Sequence, residues 1–264
     1  MKFLLNDRSV IQVSGSDSQT FLQSQFSNDI NKIADGEFQI NSYCQHQGKI
    51  IAIIWVVKVN NYFYLSLPTS LLNKILDKLN MFKMMSNVTF TDKTNIIKQY
   101  GLIDEYYDKA HRINDRLSLL FTNEKLKTEK DIFFWKKALI DFSIPEVTLE
   151  TSEFFVPEVL NLDINELGVS FTKGCYPGQE VVARMYYLGK AKRRLYKFVS
   201  NFEPKVGDEI FSSPSNSMRS SGIVVSSTFY DDKYYFLGTL ERQNIEKNIY
   251  LSSERGYMVK LLND

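Results

Sequence analysis

Hydrophobic positions change their period several times along this chain. Val10, Ile11 and Val13 mark a short strand over residues 9–13, which a turn holding Gly15 interrupts. Phe21, Leu22 and Phe26 return at helical spacing, so residues 17–28 are predicted to form a helix capped by Ser16 or Asp17. Residues 38–44 read as a strand. Residues 50–57 are too β-branched and too uniformly apolar for a surface helix, which predicts a central strand covered on both faces. Asn60-Asn61 then turns the chain into a strand over 62–67. Leu71, Leu72, Ile75, Leu76, Leu79 and Phe82 trace one apolar stripe, a helix capped by Thr69 or Ser70. Further strands are expected at 88–91, 96–103 and 117–122. A helix over 131–142 would carry Phe134, Trp135, Ala138 and Leu139 on one side.

From Leu195 onward the texture is different. Short alternating runs at 195–199, 222–229, 234–240 and 256–262 are separated by turns at 204–208, by the Ser-rich stretch 212–221 and by Asp231-Asp232. That pattern predicts a small antiparallel barrel or sandwich, with a boundary near 188–194. No internal repeat or low-complexity linker is present, so the parts should pack together.

Composition narrows the class. The chain has 264 residues, 44% of them hydrophobic, enough to bury a core and to exclude a disordered chain. Lys+Arg number 32 against 31 Asp+Glu; a formal charge of +1 argues against a wholesale nucleic-acid binder. Cys44 and Cys175 lie far apart, and His46 and His111 are the only histidines. Neither a disulfide framework nor a protein-only metal site is expected. The longest strongly apolar run, 50–57, is far short of the roughly 20 residues of a membrane helix. Asp7 and Arg8 interrupt the N-terminus before a signal-peptide core can form. The expectation is a cytoplasmic protein, or one of a similar reducing compartment.

Charge is unevenly placed. Asp141, Glu146, Glu150, Glu153, Glu158, Asp163 and Glu166 fall between residues 138 and 172, where Lys and Arg are absent. Lys173, Arg184, Lys190, Lys192, Arg193, Arg194 and Lys197 follow, with Glu180 the one acid among them. The two segments either neutralise each other or leave a basic rim at Lys190, Lys192, Arg193 and Arg194. Such a rim would attract an anionic ligand, such as a polycarboxylate tail or RNA phosphate.

The junction of the two segments is the sharpest feature, Lys173-Gly174-Cys175-Tyr176-Pro177-Gly178-Gln179-Glu180-Val181-Val182-Ala183-Arg184. Pro177 and Gly178 force a turn after the cysteine. A helix starting there would aim its positive end at Cys175, with Lys173 close by and Arg184 able to fold back. These are conditions that favour a thiolate. Glu180 and Arg184 are spaced as a helical ion pair. A small buried cysteine beside a structural turn fits the same residues.

This stretch closely resembles the K-G-C-[FY]-x-G-Q-E-x-x-x-R signature of the YgfZ family. Gly15-Ser16-Asp17, Phe21-Leu22-Gln23, Gln25 and Asp29 resemble that family's opening segment. Gln47-Gly48-Lys49 is similar to its G-K before the central strand, and Phe155-Val156-Pro157 through Asn161-Leu162 to its F-x-P…N-L block. Val169-Ser170-Phe171 resembles its lead into the cysteine motif. The resemblance implies an α+β fold shared with the glycine-cleavage T protein, a three-subdomain ring around a folate pocket ending in an antiparallel β-barrel. Residues 1–188 would form the folate-binding region and 189–264 the barrel. It also implies tetrahydrofolate or another reduced folate as ligand. The implied role is accessory, in the assembly or repair of iron–sulfur clusters that serve enzymes including those modifying tRNA.

Under that resemblance Cys175 is a redox thiol, a ligand to a cluster shared with a partner, or a nucleophile toward a folate-bound carbon. Lys173 and Arg184 would activate it or bind the folate carboxylates. Trp135 falls where the family places a tryptophan against the folate, and it equally suits a core position on an amphipathic helix. Asp141 falls where T-protein relatives have an acid on the pterin edge, although Asp141-Phe142-Ser143 replaces the usual Glu-Ala-Gly. Arg8 stands where some relatives have a second aromatic contact. The stretch from Gly48 to Ile54 lacks the acid that follows the glycine turn in the T protein. A folate-dependent aminomethyl or other C1 transferase is therefore the alternative rather than the first reading. An RNA- or protein-docking module using Lys190–Lys197 is the other.

Overall fold

The computed structural model describes residues 1–189, 191–213, 219–253 and 256–262. Its first half runs through β1 (Lys2–Leu4), β2 (Arg8–Ser14), α1 (Ser18–Gln25), β3 (Phe38–Cys44), β4 (Ile50–Val59) and β5 (Tyr62–Pro68). It continues with α2 (Leu72–Lys83), β6 (Thr89–Asp92), β7 (Lys98–Ile103), β8 (His111–Arg112), β9 (Leu117–Thr122), α3 (Phe133–Asp141) and α4 (Gln179–Leu188). The last strands are β10 (Arg193–Ser200), β11 (Glu209–Ser213), β12 (Gly222–Tyr230), β13 (Lys233–Glu241), β14 (Asn248–Leu251) and β15 (Tyr257–Leu262). The fold is α+β.

These strands make three sheets. One has the order β3-β4-β5-β2-β6, a second β1-β7-β9-β8, and the third is a closed barrel, β10-β13-β12-β11-β14-β15. Pairing of Phe198 in β10 with Leu261 in β15 completes the barrel. Of the predicted serine-rich turn 212–221, residues 214–218 lie outside the described residues.

The uniformly apolar β4 is covered on both faces, as its composition predicted. Ile50, Ile53, Trp55 and Val57 enter one core, and Ile51, Ala52, Ile54 and Val56 enter another. The pairing register slips opposite Tyr43 and Cys44, so the neighbours Ile51 and Ala52 share a face. The first core is common to all three sheets: it joins Phe3 of β1, Trp55 of β4, Leu119 of β9, Leu195 of β10 and Leu237 of β13. Trp135 and Leu139 of α3 sit in its middle. The second core lies between the five-stranded sheet and helices α1 and α2. Phe198 and Phe236, stacked at 4.9 Å, fill the barrel.

Two expected caps do not form. The Asp17 carboxylate accepts a hydrogen bond from the Asn87 amide at 2.8 Å instead of capping α1. Thr69 and Ser70 belong to a single 3₁₀ turn ahead of α2. Helix α1 stops at Gln25, short of the expected residue 28, because Phe26 turns extended and bridges Tyr43.

Candidate functional site

Two tight turns from distant parts of the chain meet back to back. The β3–β4 turn is closed by the Gly48 amide donating to the Gln45 carbonyl at 2.8 Å, with Gly48 at φ +76°. Gly178, at φ +83°, begins α4. A Cβ on Gly178 would lie 2.4 Å from the Gln45 oxygen and 2.7 Å from the Gly48 Cα. One on Gly48 would lie 3.0 Å from the Val181 Cβ. Both the dihedrals and the contact exclude a side chain at Gly178. The Gln47-Gly48-Lys49 and Pro177-Gly178-Gln179 segments are thus one structural unit.

That unit presents Cys175. Its thiol is exposed in the loop before α4, whereas the other cysteine, Cys44, is buried at the end of β3, and burial raises its pKa strongly. Lys173 is not directed at the thiol, contrary to the activating role expected of it. Its Nζ donates to the carbonyls of Gln23 and Phe26 at 2.5 Å each and of Asn28 at 3.0 Å. An ammonium has three donors, and all three are engaged. The charge sits at the C-terminal end of α1, where the helix dipole favours a cation. Burial pushes its pKa down to about 8, which leaves it protonated at neutral pH. Lys173 therefore fixes the loop and does not reach toward the thiol.

Arg184 also departs from expectation. It is exposed on α4, and among the described residues it forms no ion pair with Glu180. It lines a groove between α4 and the barrel. The basic run is largely consumed within the fold: Arg193 donates to the Ser220 carbonyl at 2.6 Å and pairs with Glu241. Arg194 makes a forked contact to Asp163 at 2.6 and 3.0 Å. Lys192 is exposed, and Lys190 lies outside the described residues. The expected four-cation rim is not available as a unit.

Trp135 is 2% exposed, its indole packed against Gly101 of β7 in the shared core. Asp141 is exposed at the end of α3, held by Lys137 at 2.5 Å. Arg8 is buried, stacked 3.7 Å over the Trp55 ring. Its guanidinium also donates to the Ser66 side chain and carbonyl and pairs with Glu146. These five candidates do not converge on one pocket. Cys175 and Lys173 share the loop, and Trp135, Asp141 and Arg184 lie on other elements.

Two features escaped the sequence reading. The first is a cavity of about 530 Å³ between the five- and four-stranded sheets. Tyr64 and Phe121, stacked on each other at 5.9 Å and 29°, form part of its wall. His111 lies beside them, donating from Nδ1 to the Gly36 carbonyl at 2.6 Å. Burial lowers the His111 pKa, so the ring is neutral at pH 7 with Nε2 as an acceptor. Asp35, Asp108 and Lys109 stand at the cavity rim. The second is Glu158, 1% exposed, with neither carboxylate oxygen hydrogen-bonded among the described residues. Burial and the nearby Asp163 raise its pKa to about 7. No periodicity marks either feature, since both depend on cross-sheet packing.

Three sheets sharing one core, the last of them a closed barrel, define a ring of the glycine-cleavage T-protein type. The aminomethyltransferase T of the glycine cleavage system from Bartonella henselae superposes with a TM-score of 0.66 at 11% identity, covering 100% of this chain and 84% of that one. No protein-family model matches the chain. An uncharacterised protein of Haemophilus influenzae is 30% identical over 86% of this chain and 84% of its own. The tRNA-modifying protein YgfZ of Aliivibrio fischeri is 28% identical over 87% of this chain and 81% of its own, and that of Colwellia psychrerythraea is 28% identical over 86% and 81%. The chain belongs to the YgfZ family. Among the described residues, no helix is long and apolar enough to cross a membrane.

Proposed function

We propose that this protein binds a reduced folate and serves as an accessory factor in the assembly or repair of iron–sulfur clusters, its clients including enzymes that modify tRNA. The observation that carries the reading is the exposed Cys175, held on a turn that Gly178 and Gly48 lock together within a T-protein-type ring. The name of the relatives, tRNA-modifying protein, supports the same reading.

The cavity lined by Tyr64 and Phe121 would take a folate. Its volume lies in the range of small-molecule sites, and its aromatic walls suit a planar bicyclic ring. Asp35, Asp108 and Nε2 of His111 would accept the N–H groups of an aminopyrimidine, and Lys109 would meet a glutamate carboxylate. A bound reduced folate would supply one-carbon or redox chemistry. Residues 1–188 form the folate-binding region in this reading, and residues 189–264 the barrel. Aminomethyl transfer is not favoured, because residues 50–54 of β4 are buried and wholly apolar, with no carboxylate to move a proton.

A lone exposed thiol without metal-ligand neighbours cannot hold a cluster by itself. Among the described residues no group of three ligating side chains is assembled. Cys175 would therefore act on clusters that are held by a partner.

Anaerobic calorimetric titration with tetrahydrofolate tests the ligand. Binding is expected, and Phe121→Ala and Tyr64→Ala should each weaken it about tenfold, the value of one lost aromatic stack. No heat at millimolar folate, or binding indifferent to both variants, rejects this cavity. The thiol is tested separately, in cells depleted of the native protein. A Cys175→Ala chain should fail to restore methylthiolated tRNA while accumulating to normal levels. Full restoration would remove the cysteine from the mechanism.

A further inference from the structure

Helix α4 carries an arrangement that neither the folate cavity nor the thiol uses. Tyr186 and Phe171 stack face to face at 3.7 Å and 17°, and Tyr187 stands edge-on to Tyr186 at 5.1 Å. The stack is open to solvent: Tyr186 is 46% exposed and Tyr187 65%. Arg184 precedes Tyr187 by three residues, so the two lie on neighbouring parts of one helical surface. Arg184 also borders a groove of about 770 Å³ on the adjoining face of α4, floored by Val181, Met185 and Ala191. Arg184 and Lys192 border it without ion-pair partners among the described residues. Its one acid, Glu241, is already neutralised by Arg193. From residue 181 to 197 the sequence contains no Asp or Glu at all.

We propose that the α4 ledge and its groove bind single-stranded RNA. Accessible aromatic faces interleaved with unpaired cations are what an unstacked nucleotide requires: a ring for the base and a charge for the phosphate. A protein partner of ordinary interface chemistry would be met by the apolar floor alone and would leave Arg184 and Lys192 without a counter-charge. The thiol loop leads into the N-terminal end of α4, about two helical turns from Tyr186 and Tyr187. This inference does not rest on the folate reading, because no cavity residue takes part.

Fluorescence anisotropy with a labelled single-stranded oligoribonucleotide, in the absence of folate, tests it. The intact chain should bind at low salt and more weakly as salt rises. Tyr187→Ala should weaken binding about tenfold, and Tyr187→Phe should restore it, because the ring and not the hydroxyl stacks. Replacing Arg184 and Lys192 together by glutamine should lower the slope of log affinity against log salt by roughly 1.4, as for two phosphate contacts on a single strand. Heparin, a polyanion without bases, should compete poorly. Absent binding, equal competition by heparin or duplex RNA, or indifference to Tyr187→Ala would overturn the proposal. Folate affinity measured on the same variants should be unchanged, so the two readings fail independently.

Discussion

Trp135→Ala is expected to destabilise the protein by about 3–5 kcal/mol, a loss seen as an early urea or thermal midpoint. The indole is almost fully buried where β1, β7, α3 and the barrel meet, and its ring lies so close to Gly101 that a Cβ there would fall within 2.5 Å of it. Truncation would open a cavity that neighbours from three separate sheets cannot easily close. The family resemblance places this tryptophan against the folate, and the two roles give different results. A contact residue would leave stability intact and lower folate affinity. A Trp135→Ala chain with a normal midpoint would therefore refute the core role. A Trp55→Phe background isolates the emission of Trp135, which should stay unquenched by folate if the ring is out of reach.

Glu158→Gln is expected to stabilise the protein at pH 8 by about 3 kcal/mol, and to flatten the dependence of stability on pH between about 4.5 and 7. The carboxyl is buried and lacks a hydrogen-bond partner among the described residues. Asp163, Cys44 and the Tyr176 phenol are near it, and the cation that acts on it among the described residues, Arg194, is committed elsewhere. That guanidinium forks onto Asp163 and donates to the Glu158 main-chain carbonyl at 2.7 Å. Burial thus raises the folded pKa to about 7 against 4.5 unfolded. Between those values the folded state holds the extra proton, so the native chain loses stability as pH rises from 4.5 to 7. Glutamine keeps the shape and cannot ionise. Denaturant unfolding of both chains across that range measures the difference; parallel pH profiles would show that Glu158 is solvated or paired.

Much of the architecture was legible because it depends on local patterns. Strands β3 and β9 fall on the residues expected of them, and the two-sided burial of β4 followed from its run of β-branched residues. The late alternating runs announced the barrel. Strands β1 and β8 were missed because two or three residues cannot establish a period, and β11 and β14 because their neighbours in the barrel, not their own alternation, define them. At the site, the Cys175 motif was visible as a string, but its partners were not. Lys173 looked like a neighbour of the thiol when counted along the chain, whereas its long side chain turns to the end of α1. The Glu180–Arg184 spacing suggested a pair that the exposed helix does not make. Arg193 and Arg194 read as free charge, although acids distant in sequence neutralise them. Sequence proximity was a poor guide wherever a charged group had a long reach and several acceptors to choose from.

The ammonium of Lys173 joins carbonyls that lie 145 to 150 residues earlier in the chain. Such a contact forms late, after most of the entropy of closing the intervening segment has been lost. During synthesis, the end of α1 must wait for the motif to emerge before its last carbonyls find a cation. Presentation of the thiol is then tied to the closing of this contact: a chain too short to include residue 173 carries neither the clamp nor the cysteine, and both arrive together, before the strands of the barrel.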